Sequence, residues 1–393
     1  MEIRPQPSLD NTEIAFGGKS NAELKRAYWL FKLIGNPALV VAGRIFTNIA
    51  LTLRIPIGWA LRGNIFKQFC GGENIGQCRN AVESLGKFNI GTILDYSVEG
   101  KESEADLENT KAEIMLTVQE AARSQSIPFS VFKVTGIARF SLLEKVNASA
   151  ALSEMEQLEW ERVEARVDAI CAHAAHYDVP IFIDAEDSWI QDAIDSLANK
   201  MMAKYNTSRA IVYNTVQLYR HDRLAFLKKS HELAVHQNFF LGVKLVRGAY
   251  MEKERARAAE MGYADPIQPN KEASDRDFDL AVSYCLDHID RISLCAGTHN
   301  EKSSLHLAQG IDERNIDRND KRIYFAQLYG MSDHISFNLA NAGYNVAKYL
   351  PYGPIREVIP YLIRRAQENT SVKGQTGREL TLIQREMKRR KVQ

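Results

Sequence analysis

The rhythm of apolar and polar positions changes near residue 90. Beyond it, short apolar runs rich in β-branched residues alternate with longer segments whose apolar positions recur at helical spacing, the pattern of parallel strands crossed by helices. Eight runs qualify as strands: IGTILDY from 90, FSVFKV from 129, PIFIDA from 180, AIVYNTVQ from 210, GVKLVRG from 242, RISLCAGT from 291, RIYFAQL from 322 and NVAKYLP from 345. Eight such units predict an α/β fold, a (β/α)8 TIM-type barrel. A doubly wound open sheet is the rival, but no GxGxxG turn follows an early strand.

Ahead of the barrel pattern, Leu24 to Gly72 contains no Asp or Glu, while Lys25, Arg26, Lys32, Arg44, Arg54, Arg62 and Lys67 are spread among apolar residues. Broken by Pro37 and Pro56, this stretch predicts two or three helices in an N-terminal arm. Its charge-free runs are shorter than the roughly 20 apolar residues a bilayer span needs. The arm either packs on the main domain or offers a basic amphipathic surface to a membrane. The expected division is 1–88 for the helical arm, 89–370 for the barrel and 371–393 for a C-terminal basic helix or tail ending in MKRRK at 387–391.

At or near the C-terminal ends of the expected strands stand Asp95, Lys133, Asp184, Gln217, Lys244 with Arg247, Thr298 with His299, Gln327 and Tyr349. In a barrel these ends converge at one mouth, where catalytic groups collect. After a Gly353-Pro354 turn, Ile355, Val358, Ile359, Leu362 and Ala366 form an apolar helical stripe. Tyr361, Arg364, Arg365 and Glu368 follow at i, i+3, i+4 and i+7 on the next stripe. Paired guanidiniums suit a carboxylate or phosphate, and a solvated face with Arg364 paired to Glu368 is the plainer alternative. Pro360 inside this pattern predicts a kink or a delayed helix start.

Composition narrows the chemistry. A chain of 393 residues with 45% hydrophobic residues has enough apolar material for a large core, and a net charge of +1 gives no reason to expect nucleic acid. The five cysteines are odd in number and lack CxxC spacing, which points to a reducing compartment. The N-terminal MEIRPQPSLDNTEIAF has no apolar signal core and carries Glu2, Asp10 and Glu13, so a bacterial cytoplasmic location is expected, with contact at the inner face of the membrane as an option. His231 and His236 are one residue too far apart for HExxH, and His173 with His176 lack a third ligand. DRDFDL from Asp275 lacks the glycine of a calcium loop, so no metal site is expected. There is no GxSxG and no P-loop.

YLPYGP followed by PYLIRRAQEN resembles the closing signature of the proline dehydrogenase family, flavoenzymes that oxidise L-proline to 1-pyrroline-5-carboxylate. The resemblance extends through SVFKVTG, IFIDAEDSW, VYNTVQLY, KLVRGAY, GTHN and FAQLYGM, in barrel order, and KLVRGAYMEKERARAAEMGY is similar to the monofunctional, eukaryote-type branch. It implies FAD as cofactor and hydride transfer from proline C5 to flavin N5, the first step of proline catabolism to glutamate. It places the substrate carboxylate on Arg364, Arg365 and Lys133, and the ring against Tyr349 and Tyr361 with Asp184 and Leu328 nearby. Glu368 would orient an arginine. The flavin positions it implies are Gln217 at the pyrimidine edge, Lys244 near the reactive end, Val246, Arg247, Gly248, Ala249 and Tyr250 in the loop after strand five, and Thr298, His299 and Asn300 after strand six.

Three positions depart from the bifunctional relatives. Lys244 stands for their arginine, Met251 for their tryptophan, and Lys67 for the glutamate that closes their active site. The family also implies a membrane quinone as electron acceptor. Hydroxyproline oxidation on the same fold is the nearest alternative, and Tyr349 argues for proline because its ring would crowd a C4 hydroxyl. A barrel aldolase using Lys133 or Lys244 as a Schiff-base nucleophile is a second enzyme class. A barrel that only binds a ligand or partner is a third reading.

Overall fold

The computed structural model describes residues 6–36, 65–98, 102–371 and 375–392, with side chains throughout except at 366–371 and 375–376. Among these residues eight strands form a closed parallel barrel in sequential order. They are β1 Ile90–Tyr96, β2 Phe129–Lys133, β3 Ile181–Asp184, β4 Val212–Gln217, β5 Leu241–Val246, β6 Ile292–Gly297, β7 Ile323–Leu328 and β8 Val346–Tyr352. Each expected strand is present. The chain divides into two compact units, one of Val98–Ala326 and one joining Pro7–Ser97 to Gln327–Gln393.

In the first unit the strands are buried on both faces, which is why they read as nearly continuous apolar runs rather than alternating ones. Phe129 and Phe182 stack at 4.4 Å between centroids, and Tyr213 and Tyr324 meet Phe129 edge-on at 5.5 and 4.8 Å. Four strands thus contribute one aromatic cluster to the core, each ring burying well over 100 Å² in order of magnitude. Register places Lys133 beside Asp184 and Lys244 between Thr215 and Cys295. The crossover helices start where short polar side chains can bond the first free N–H groups. Ser103 caps Glu104–Arg123, Ser153 forms a capping box with Glu156 at Glu154–His176, and Asn270 caps Lys271–Asp287.

In the second unit β1 pairs with β8 along seven residues, from Ile90 opposite Val346 to Tyr96 opposite Tyr352. The helix Asn21–Ile34, held by a capping box of Ser20 and Glu23, buries Leu24, Ala27, Leu30, Phe31 and Ile34. These meet Val358, Tyr361 and Leu362 of the helix Ile355–Ser371, and Leu382 and Ile383 of the helix Gln375–Arg389, in one apolar cluster. The arm helix Asn21–Ile34 therefore packs. The rest of the arm between 37 and 64 lies outside the described residues, and among those described no helix is long and apolar enough to cross a membrane. The basic C-terminal end is tied down: Arg389 and Arg390 pair with the fully buried Glu386, and Arg390 donates to the Phe16 and Lys19 carbonyls at 2.7 Å.

Two details differ from the sequence-based expectation. The helix carrying Pro360 begins at Ile355 without delay, with the Pro354 carbonyl accepting from Glu357 and Val358, and it continues through the proline. β8 runs on to Tyr352, so Tyr349 is an interior strand residue rather than a terminal one.

Candidate active site

The strand-end residues of the first unit make several separate polar contacts. Asp184, at the end of β3, accepts an ion-paired hydrogen bond from Lys244, which is 5% exposed on β5 and sits 5.3 Å over the Phe182 ring. An ammonium taken out of water in this way needs its carboxylate, because either charge left alone would be strongly destabilising. Lys133 is half-buried beside Asp184. Gln217, 2% exposed at the end of β4, donates through Nε2 to the Glu186 carbonyl at 2.9 Å, while its Oε1 is buried without a hydrogen-bond partner. Glu186 is itself fixed, accepting from Thr135 N and Oγ1 and donating its N–H to Gln191.

After β5 the chain turns through Gly248 at φ +136°, where an added Cβ would fall 2.3 Å from the Tyr219 ring. Only glycine suits both the dihedral and the contact. Arg247 spends its guanidinium on protein groups: Nε to Asp275 at 2.7 Å, and the two terminal nitrogens to Thr298 Oγ1 and Ser303 Oγ, each at 2.8 Å, over the Phe278 ring at 4.4 Å. Thr298 also accepts from Asn300 N. Asn300 caps the helix Glu301–Glu313, its side-chain oxygen taking the Lys302 and Ser303 N–H groups. Arg247 and Asn300 thus shape the loops at this edge before either touches a ligand. Val246, Tyr250 and His299 are half-buried, Ala249 is exposed, and Met251 opens the helix Met251–Met261 at 42% exposure.

In the second unit Arg365 is 6% exposed and its guanidinium lies 5.1 Å from the Tyr361 ring, a cation–π arrangement on a buried aromatic. Arg364 and Leu328 are half-buried, and Tyr349 is 7% exposed. Tyr361 and Arg365 are therefore not on a solvated face. The side chain of Glu368 lies outside the described residues. Lys67, in the short helix Lys67–Phe69, is exposed. Two further strand-end groups bond within the protein: Asp95 accepts from Ser97 at 2.9 Å, and Gln327 accepts from Ser336 at 2.7 Å.

Sequence reasoning passed over a buried charge cluster in this unit, formed by Lys19, Asp333, Lys348 and Glu379. Its one legible signal was Lys348, a cation inside an otherwise apolar strand.

Fold and strand-end chemistry define a (β/α)8-barrel enzyme. Residues 78–378 match the family model described as proline dehydrogenase. Proline dehydrogenase 1, mitochondrial, of Dictyostelium discoideum is 32% identical over 428 aligned residues, covering 97% of this chain and 75% of the relative. Hydroxyproline dehydrogenase of Xenopus laevis is 32% identical over 409 residues, covering 95% of this chain and 88% of the relative. Proline utilization A of Bdellovibrio bacteriovorus, inactivated by N-propargylglycine, shares the fold with a TM-score of 0.72 at 20% identity. That alignment takes in 92% of this chain, which spans only 38% of the larger protein.

The chain belongs to the proline dehydrogenase family, as an oxidoreductase acting on proline in the first step of its catabolism. The expectation of a bacterial cytoplasmic protein is overturned, because the Dictyostelium, Drosophila melanogaster and Homo sapiens relatives are all named mitochondrial. The family implies a flavin, and the residues present fit one. The orphaned Gln217 oxygen is an acceptor awaiting an N–H such as the flavin pyrimidine edge carries, and leaving it unmade costs about 1–3 kcal/mol.

Proposed function

We propose that the chain binds FAD and oxidises L-proline to 1-pyrroline-5-carboxylate, with a membrane quinone as electron acceptor. When bound, the flavin supplies a two-electron acceptor for the hydride leaving proline C5. Arg364, Arg365 and Lys133 hold the substrate carboxylate, and Glu368 orients an arginine. Their positive field disfavours the protonated substrate amine, so the lone pair needed to expel hydride is available. Tyr349, Tyr361, Leu328 and Asp184 confine the ring, which is catalysis by orientation. Gln217 holds the pyrimidine edge, and Lys244 places a positive charge where negative charge arrives on reduction. Val246, Arg247, Gly248, Ala249 and Tyr250, with Thr298, His299 and Asn300, form the remaining cofactor contacts. The division into an arm of 1–88, a barrel of 89–370 and a C-terminal helix of 371–393 is part of the same proposal.

The observation that supports the reading is the buried Arg365 guanidinium lying 5.1 Å from the Tyr361 ring, a cation beside an aromatic face, which suits a small carboxylate on an apolar ring. Lys244 is engaged with Asp184 as an ammonium, which disfavours the Schiff-base alternative for that lysine. The Xenopus relative supports a second reading, hydroxyproline as substrate. Steady-state turnover with a soluble quinone separates the two: the proposal expects a higher kcat/KM for L-proline than for trans-4-hydroxy-L-proline, and the reverse order would replace it. Membrane contact through the exposed Trp29 and Leu33, flanked by Lys25 and Lys32, belongs to the same proposal. Co-sedimentation with anionic vesicles, lost on Trp29→Ala, would support it.

A further inference from the structure

Lys348 has no role in the reaction as described, yet it is fully buried in β8 next to Tyr349. Strand alternation sends the two side chains to opposite faces. The Lys348 ammonium donates to the Met331 carbonyl at 2.5 Å and reaches the Leu328 carbonyl at 3.5 Å. It also pairs with Asp333 at 2.9 Å, whose other oxygen pairs with Lys19 at 3.0 Å. Burying a lysine costs several kcal/mol unless charge and hydrogen bonds compensate. Here the compensation comes from one carboxylate and the carbonyls of a single turn.

That turn is the chain from Leu328 to Met331. Besides Lys348, it is held by Tyr329 N donating to the Tyr349 carbonyl at 2.8 Å, and by Gln68 Nε2 donating to the Gly330 carbonyl at 2.8 Å. Gly330 has φ +76°, and a Cβ there would meet the Gln68 carbonyl at 2.0 Å. The turn is thus held from three sides, and the Lys348 ammonium donates to two of its carbonyls.

We propose that Lys348 is a positioning residue for the substrate-ring pocket: by gathering the Leu328 and Met331 carbonyls against β8, it sets where Leu328 stands relative to Tyr349. The inference rests on the reading above that Leu328 and Tyr349 contact the proline ring. Asp333, backed by Lys19, holds Lys348 in place.

Lys348→Met keeps the side chain's bulk, removes its charge and donors, and leaves Asp333 paired with Lys19. The expected result is a KM for L-proline raised about 10- to 100-fold, as for a misplaced binding group, with a smaller change in kcat and an unchanged flavin content. The proline-to-hydroxyproline ratio of kcat/KM should fall, because a loosened pocket discriminates less. A purely structural lysine would lower the Tm and leave KM and that ratio unchanged, and this outcome overturns the proposal. Should Lys348→Met fail to fold, Asp333→Asn carries the test, since it frees Lys348 from its anchor while the carbonyls remain. A severalfold rise in KM with flavin retained supports the proposal, and an unchanged KM overturns it. If proline fails to reduce the flavin of the unaltered protein, the substrate reading falls first, independently of Lys348.

Discussion

Arg365 gives the account its sharpest dependence on a single side chain. Replacing it, or Arg364, with Met removes a charge-assisted contact worth about 1.5–3 kcal/mol, so the KM for proline should rise roughly 10- to 100-fold while flavin stays bound. Unchanged kinetics would sink the carboxylate assignment. Gln217→Leu tests the other partner. It removes the orphaned oxygen and should weaken flavin binding by about 10-fold, read as flavin lost on dialysis, and full retention would contradict the pyrimidine-edge role. Gly248→Ala imposes a Cβ on the Tyr219 ring and a strained dihedral, so both flavin content and Tm should fall, by about 1–3 kcal/mol in stability. Unaltered values for both would mean that the turn adapts. Most of these residues were legible because they end strands or share a helical stripe. The pairing of Lys348 with Asp333 was not, although a lysine inside an apolar strand was visible, since it depends on which loop returns to β8, and sequence spacing carries no trace of that.

At the scale of elements, the helix Ile355–Ser371 was readable as an apolar stripe and a polar neighbour. What spacing left open was whether the second stripe met water, and two of its members, Tyr361 and Arg365, are buried. The expected strand NVAKYLP stopped at Pro351, and β8 extends one residue further, to Tyr352. The strand tolerates the proline: Pro351 lacks an N–H, but its carbonyl accepts from Gly71 at 2.9 Å and its neighbours pair with β1. The helix Asp333–Asn341 yields a pH prediction. Burial pushes the Asp333 carboxyl up, but the Lys19 and Lys348 ammoniums outweigh it and hold the group well below the usual carboxylate range. Glu379 and Tyr329 also face the cluster, as does His334, 3.9 Å from Glu379. A folded pKa below the unfolded one means that the ionised carboxylate favours folding above about pH 4, and that this contribution fades as pH falls through the lower folded value. Asp333→Asn should therefore lower the Tm at pH 7, with the gap to the unaltered protein narrowing at pH 3. An equal gap at both pH values would contradict the assignment.

For the whole molecule, eight alternations of strand and helix were sufficient to name the barrel, since parallel strands need crossover helices and a closed set of eight buries both faces of each strand. The location was misread because it was argued from the composition of the first residues, which carries no information on the compartment, whereas the Dictyostelium, Drosophila and human relatives are named mitochondrial. Reduction of a bound flavin by L-proline is read from the visible spectrum of the purified protein under anaerobic conditions, before and after adding L-proline and, separately, trans-4-hydroxy-L-proline. The purified protein should be yellow, and should bleach with proline and scarcely with hydroxyproline. Bleaching by hydroxyproline in preference would leave the fold and hydride chemistry intact but contradict the role of Tyr349. A bound flavin that neither amino acid bleaches would contradict the account at its centre.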